Sequence, residues 1–219
     1  MANVASLPIM LKSLRLACIN AHWKALAKKA TTEGWMPEHY LAELCAMELA
    51  TREDKRLQRY HKESNLPPGK MLSNFDFGAL TGVSLQQVTA LIENPTWVEQ
   101  GENLLLFGAS GIGKTHLASS IGHGLIEAGI RVKFSSATHM VQELQHAKQN
   151  LCLADALVKL DKFSVLILDD LGYVKKTAQE TSVLFELDAY IRWYNEHRIK
   201  LSLGALSPAE YRQHMGIAT

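Results

Sequence analysis

Residues 108–115 read Gly-Ala-Ser-Gly-Ile-Gly-Lys-Thr, a full match to G-x-x-x-x-G-K-[ST]. Each residue type in that run has a task around a phosphate chain. Gly108, Gly111 and Gly113 can take backbone angles closed to other residues, and they carry no Cβ to hold an anion away. Together with Ala109, Ser110 and Ile112 they present N–H groups beside the positive end of a following helix, a concave anion site. Lys114 aims a point charge at β- and γ-phosphates, and the Thr115 hydroxyl is placed to coordinate Mg²⁺. His116 follows in the same helix and completes the predicted ATP-binding run 108–116.

An acidic partner lies 55 positions after Lys114, where Val165-Leu166-Ile167-Leu168 ends in Asp169-Asp170. Two carboxylates closing an apolar strand are costly unless a cation offsets them, and a hydrated Mg²⁺ would do so. Asp169 is the predicted metal ligand with Thr115. Asp170 is the predicted catalytic residue that orients an attacking water, with Lys114 assisting phosphoryl transfer. An Asp-Asp pair read alone is more often a turn or a helix cap. The phosphate loop changes that balance.

The elements around these residues have the order the chemistry needs. Asn103–Phe107 is an apolar run of strand length, and Lys114–Ala128 is a helix with Leu117, Ile121 and Leu125 on one face and Gly129 at its end. Ile130–Ser135 reads as a strand, Thr138 to about Gln149 and Leu153–Leu160 as helices, and Ser164–Leu168 as a strand apolar on both faces. Ser84-x-x-Gln87 is a capping box that opens a short helix closed by Asn94-Pro95. Strands buried on both faces and alternating with helices predict an α/β layer fold with a parallel sheet.

Upstream, Leu11, Leu14, Cys18, Ala21 and Ala25 form a narrow stripe and predict one helix, interrupted by Gly34. Pro37 opens a second, largely polar helix, marked by Leu41, Leu44, Cys45 and Glu48 and running to about Tyr60. Asn65-Leu66-Pro67-Pro68-Gly69 breaks it and marks a boundary. The predicted domains are therefore 1–70, 71–187 and 188–219. The 219 residues carry a net charge of +1, unevenly spread. Residues 1–70 hold eleven Lys or Arg against seven Asp or Glu, whereas 71–187 hold eight against twelve. Clustered cations on a near-neutral chain fit a phosphate-backbone footprint or simply solvated helix faces.

Composition excludes other classes. No apolar run approaches the roughly 20 residues of a membrane span, and no signal-like segment opens the chain. Cys18, Cys45 and Cys152 are too far apart for a disulfide framework or a zinc site, so reduced thiols in a cytoplasmic protein are expected. None of the nine histidines has ligand spacing; His139 and His146 lie seven apart without a third ligand. Trp23, Trp35, Trp97 and Trp193 are scattered, as packing residues are.

With both motifs in view, the chain resembles the IstB family, ATP-binding accessory proteins of insertion-sequence transposition that are AAA+ ATPases similar to the DnaC helicase loader. The resemblance rests on GASGIGKTHLA at 108–118, VLILDDLGYV at 165–174, TAQETSVLFEL at 177–187, LPIMLKSLRLACI near the N-terminus and YLAELCAMEL at 40–49. It implies an AAA+-like core behind a small helical domain that binds duplex DNA. It also implies a homo-oligomer on DNA working with a transposase. A helicase loader, whose N-terminal segment binds a helicase protein, is the alternative. A small-molecule kinase would need a lid longer than Gly172–Lys176 supplies. An inactive remnant that binds nucleotide weakly or not at all is a further alternative.

Residues 188–216 instead resemble the C-terminal end of integrase-type insertion-sequence transposases, through Trp193-Tyr194-Asn195 and Leu206-Ser207-Pro208-Ala209-Glu210-Tyr211-Arg212. The family pattern places a strand there, ending in a polar residue that senses the γ-phosphate, then an arginine acting across a subunit interface. Arg198–Leu203 is the one replacement, and Ile199, Leu201 and Leu203 alternate with Arg198, Lys200 and Ser202 as in a strand with one face in water. The sheet is therefore expected to be incomplete at its C-terminal end. Nucleotide binding has all its residues, whereas efficient ATP hydrolysis needs sensor and trans-acting arginine groups that are not recognisable here, so ATPase activity is expected to be impaired.

Overall fold

The computed structural model describes residues 4–79 and 82–170. The chain divides into two units, Met1–Arg59 and Tyr60–Thr219.

In the first unit α1 (Leu7–Ser13) and α2 (Ala17–Glu33) replace the single helix expected through Leu11–Ala25. Arg15, at φ 56°, turns the chain between them. The break brings Leu11 and Ile19 to the same buried cluster, with Leu44 of α3 (Pro37–Ser64). Leu7, Leu16, Trp23, Leu26 and Tyr40 pack around them, and the Tyr40 hydroxyl donates to the Trp23 carbonyl at 3.0 Å. Glu48 fixes the turn. Its carboxylate accepts from the N–H groups of Cys18 and Ile19, at 2.9 and 3.1 Å, in the first turn of α2. Arg52 donates both to Glu48 and to the Arg15 carbonyl, at 2.9 Å each. Gly34 closes α2 in the left-handed conformation, as expected of a C-terminal glycine. Among the face residues expected on α3, Leu44 is buried while Leu41 and Cys45 are exposed.

Helix α3 runs to Ser64, past the expected end at Tyr60, so the division between units falls inside it and ahead of the breaker at 65–69. From there a strap crosses the second unit through two short turns, Leu72–Asn74 and Phe77–Ala79. α4 (Leu85–Glu93) opens on the expected capping box: Ser84 Oγ accepts from Gln87 N, and Gln87 Oε1 from Ser84 N. α5 (Thr96–Glu99) follows, then the phosphate loop and α6 (Lys114–Glu127).

Helix α6 is the centre of this unit. Leu117, Ile121, Leu125 and Ile126 on it are buried with Val88 of α4 and Val132 of β1 (Val132–Ser136). Gly122 sits under this packing, because a Cβ there would lie 2.8 Å from Ile167 Cδ1 and 2.9 Å from Leu66 Cδ2. β1 leads to α7 (Ala137–Gln149), capped by Ser136 Oγ, which accepts from His139 N. α8 (Leu153–Leu160) then returns the chain to β2 (Val165–Asp169). β1 and β2 pair in parallel, with Val132 opposite Val165 and Ser136 opposite Asp169. α7 between parallel strands is the crossover that such pairing requires.

The strand expected at Asn103–Phe107 does not form a ladder with any described residue. Leu106 packs towards the α6 core, while Leu105 and Phe107 are 64% and 85% exposed. An apolar run becomes a strand only when a neighbour takes its backbone groups, and β2 does not reach it. The expected helix from Thr177, the amphipathic run Arg198–Leu203 and the terminal helix from Ser207 lie outside the described residues.

Candidate nucleotide-binding site

The loop has the shape its sequence requires. Gly108, Gly111 and Gly113 have φ of 156°, 82° and 93°. Two of them also have close neighbours: a Cβ on Gly108 would meet Ile112 Cδ1 at 2.2 Å and displace that side chain, and one on Gly113 would meet Phe75 Cε2 at 3.0 Å. Gly113 is the N-cap of α6, so the helix's first unpaired N–H groups face the loop. Ala109, Ser110 and Ile112 are exposed on its rim.

Lys114 Nζ donates to the carbonyls of Gly108 and Ala109, at 2.8 and 2.7 Å. Its ammonium thus lies across the mouth of the loop on two neutral acceptors. A phosphate oxygen, being charged, is the stronger acceptor and would displace them. Thr115 and Asp169, 54 residues apart, meet: Thr115 Oγ1 donates to Asp169 Oδ1 at 3.1 Å. The β1–β2 register and the seat of Ile167 on Gly122 bring the end of β2 to the first turn of α6.

These groups fit the nucleotide and cation that the motif implies. Both are hard oxygen donors. Two adjacent ligands of an octahedral Mg²⁺, at about 2.0–2.1 Å each, lie about 2.9 Å apart, close to the observed separation. Among the described residues no cluster of three or more His, Cys, Asp or Glu could hold a metal without help. That also fits Mg²⁺, which takes its other ligands from phosphates and water.

Asp170 is placed differently. It is exposed, has φ 60°, and makes no hydrogen bond among the described residues. Only Asp169 of the pair reaches Thr115. The His116 ring is turned to the strap: Nε2 lies 3.1 Å from the Met71 carbonyl, and Phe75 meets the ring edge-on at 5.1 Å. A cleft of about 910 Å³ joins the loop to the side of β2; Lys70, Lys114, Thr115, His116, Asp169 and Asp170 line its polar end.

The strap is what reading the sequence for motifs missed. Residues 65–69 looked like a boundary, yet Ser120 Oγ donates to the Lys70 carbonyl at 3.1 Å, and Phe75 closes over Gly113. Two phenylalanines, Phe75 and Phe77, close behind Met71 and Leu72 were the available signal, and their rings pack edge-to-face at 4.8 Å.

A family model described as IstB-like ATP binding protein matches residues 9–201. The chain belongs to the IstB-like ATP-binding family. Its fold is accordingly that of an α/β P-loop protein, of which α6, β1, β2 and the phosphate loop are the described core. The family match continues beyond Leu187 to Leu201, into the segment whose motifs resemble a transposase end. Similar proteins include an insertion sequence ATP-binding protein of Sinorhizobium fredii, 49% identical over 183 residues, covering 84% of this chain and 61% of that one. The ATP-binding protein of insertion sequence IS5376 from Geobacillus stearothermophilus is 33% identical, over 80% of this chain and 70% of its own. That of insertion sequence IS21 from Pseudomonas aeruginosa is 31% identical, over 83% and 68%. The IstB-like chain therefore spans about three fifths of the Sinorhizobium relative and somewhat over two thirds of the other two. No helix among its described residues is long and apolar enough to cross a membrane.

Proposed function

We propose that this chain binds ATP with Mg²⁺ and serves as an ATP-binding accessory protein of insertion-sequence transposition, associated with duplex DNA. The meeting of Thr115 and Asp169 at 3.1 Å beside the phosphate loop carries the nucleotide half of that reading. Loop N–H groups at 108–115 would hold the β- and γ-phosphates, and Lys114 would exchange two carbonyl acceptors for phosphate oxygens. Thr115 and Asp169 would hold the cation, which when bound neutralises charge on the phosphates. Asp170, exposed at the end of β2, is free to orient a water towards the γ-phosphate. The family's relatives, named as insertion sequence ATP-binding proteins, support the cellular role.

The DNA half rests on the first unit. Lys12, Arg15, Lys24, Lys28, Lys29, Arg52, Lys55, Arg56 and Arg59 are all exposed there. Some are engaged within the unit, Arg56 with Glu53 at 2.6 Å and Lys29 with Glu33 at 3.9 Å, but exposed pairs of this kind are weak and exchange readily for phosphate. Duplex binding measured by fluorescence anisotropy with and without Mg-ATP tests the whole reading. The intact chain is expected to bind duplex, and to bind it differently with ATP present; Lys114→Ala is expected to lose the nucleotide effect alone. Binding only to a helicase protein, with none to duplex, would favour the loader function instead.

A further inference from the structure

From its N-cap onward, α6 carries Gly113, His116, Ser120 and His123 at spacings of three, four and three, which makes one stripe along the helix. All four meet the strap. His123 Nε2 lies 3.2 Å from the Pro67 carbonyl, Ser120 Oγ 3.1 Å from that of Lys70, and His116 Nε2 3.1 Å from that of Met71. A carbonyl only accepts, so both rings carry a proton on Nε2. The Ser120 hydroxyl also lies 2.8 Å from the His116 carbonyl and shares its one proton between the two. The strap therefore runs back along α6, one carbonyl after another, towards the phosphate loop.

Phe75 is where it arrives. A Cβ on Gly113 would lie 3.0 Å from Phe75 Cε2 and 3.4 Å from Cζ, so the ring is seated on the side where Gly113 has no side chain. The same ring meets His116 edge-on at 5.1 Å and Phe77 at 4.8 Å. Leu72, Phe75 and Phe77 pack towards the buried core beneath α6. Gly113 needs such a support. Glycine populates positive and negative φ about equally, so nothing in its own chemistry keeps Gly113 at 93°. It stands immediately before Lys114 and Thr115, and the first N–H groups of α6 are aimed from it. Gly113 lines the cleft and Phe75 does not. The ring thus touches the loop, not the space that a nucleotide would fill.

We propose that Phe75 is a positioning residue for phosphate binding: it holds Gly113, and through it the loop amides, in the form that receives the β- and γ-phosphates. The ladder of His116, Ser120 and His123 keeps Phe75 in place. The inference rests on the nucleotide reading above and adds to it a part that touches no ligand. A loop held beforehand loses less freedom when phosphates arrive, which raises affinity without a new contact.

Two measurements on the full-length chain test it, the first without any ligand. In the wild type the Gly113 amide is expected to have an NMR order parameter of about 0.85, falling below about 0.6 in Phe75→Ala while that of Leu125 is unchanged. The same variant is expected to bind both Mg-ATP and Mg-tripolyphosphate about tenfold more weakly in calorimetric titrations. Tripolyphosphate has no base, so an equal loss on both probes marks an effect on the loop. Leu72→Ala removes another strap side chain from the same core. It is expected to lower the melting temperature and to leave both affinities within about twofold. If Phe75→Ala does not fold, the latch answers instead. His116→Ala is expected to loosen Gly113 and weaken both probes about threefold, and His116→Gln, whose amide can still donate to Met71, to restore them. A Gly113 amide as rigid in Phe75→Ala or His116→Ala as in the wild type, a loss confined to ATP, or an equal loss in Leu72→Ala would overturn the proposal. A loosened Gly113 in a chain that binds neither probe would instead overturn the nucleotide reading, and the support of the loop by Phe75 would stand.

Discussion

At the scale of single residues, two carboxylates carry contrasting duties. Asp169 accepts from the Thr115 hydroxyl alone among the hydrogen bonds described, whereas Glu48 is held by three donors. Burial alone would push the Glu48 carboxyl up, but hydrogen bonds from Ile19 N–H, Arg52 and Cys18 N–H outweigh it and hold the group below the usual carboxylate range. A folded-state value below the unfolded one means stability that is complete above about pH 4–5 and is lost as pH falls through the folded value. Glu48→Ala is expected to cost the first unit about 2–3 kcal/mol, since it orphans helix donors and strands Arg52. Exchange of the Ile19 and Leu44 amides measures this, and the wild-type decline in acid should be largely missing from the variant. Thr115→Ala would remove one of the two protein oxygens proposed for Mg²⁺ while leaving the loop amides in place. Its expected signature is a Mg²⁺ requirement for ATP binding shifted about tenfold upward, measured by titrating the metal at fixed nucleotide. An unchanged requirement would mean that Thr115 does not ligate.

At the scale of elements, α6 does two jobs: its N-terminus faces the phosphate loop and its flank floors the sheet. Gly122 reconciles them by letting Ile167 and Leu66 approach the helix backbone. Gly122→Ala would gain about 1 kcal/mol of helix propensity, but contacts of 2.8–2.9 Å oblige the ends of the Ile167 and Leu66 side chains to move. The net expectation is a loss of about 1 kcal/mol, read from thermal unfolding, with nucleotide binding retained. Most of this layer was legible in sequence. Leu117, Ile121 and Leu125 announced the buried face, Ser84 and Gln87 the cap of α4, and the loop and its acidic partner pair by motif alone. Three features were not legible, for definite reasons. The turn at Arg15 depends on Glu48, more than thirty residues away, and a helical stripe that continues across a break looks unbroken to local periodicity. The run at 103–107 has the composition of a strand, but a ladder is a property of two segments. Phe75 escaped notice because its role, closing over Gly113, is purely spatial.

At the scale of the whole molecule, the charge division is matched by a structural one. The basic excess lies mainly on the helical first unit and the phosphate loop on the second, so DNA and nucleotide would be handled by different units. Replacing Lys28, Lys29, Arg56 and Arg59 together with Gln is expected to weaken duplex binding at least tenfold. The salt dependence should flatten by about 0.9 in log–log slope for each lost phosphate contact. ATP affinity, which uses the other unit, should not change. The nucleotide reading is the central one, and calorimetric titration of the chain with ATP tests it most directly. Saturable binding at one site per chain is predicted, tightened by Mg²⁺, weakened at least tenfold by Lys114→Ala, and deprived of its Mg²⁺ enhancement by Asp169→Asn. Heat of binding that is absent, or that survives both substitutions with its magnesium dependence unchanged, would contradict it.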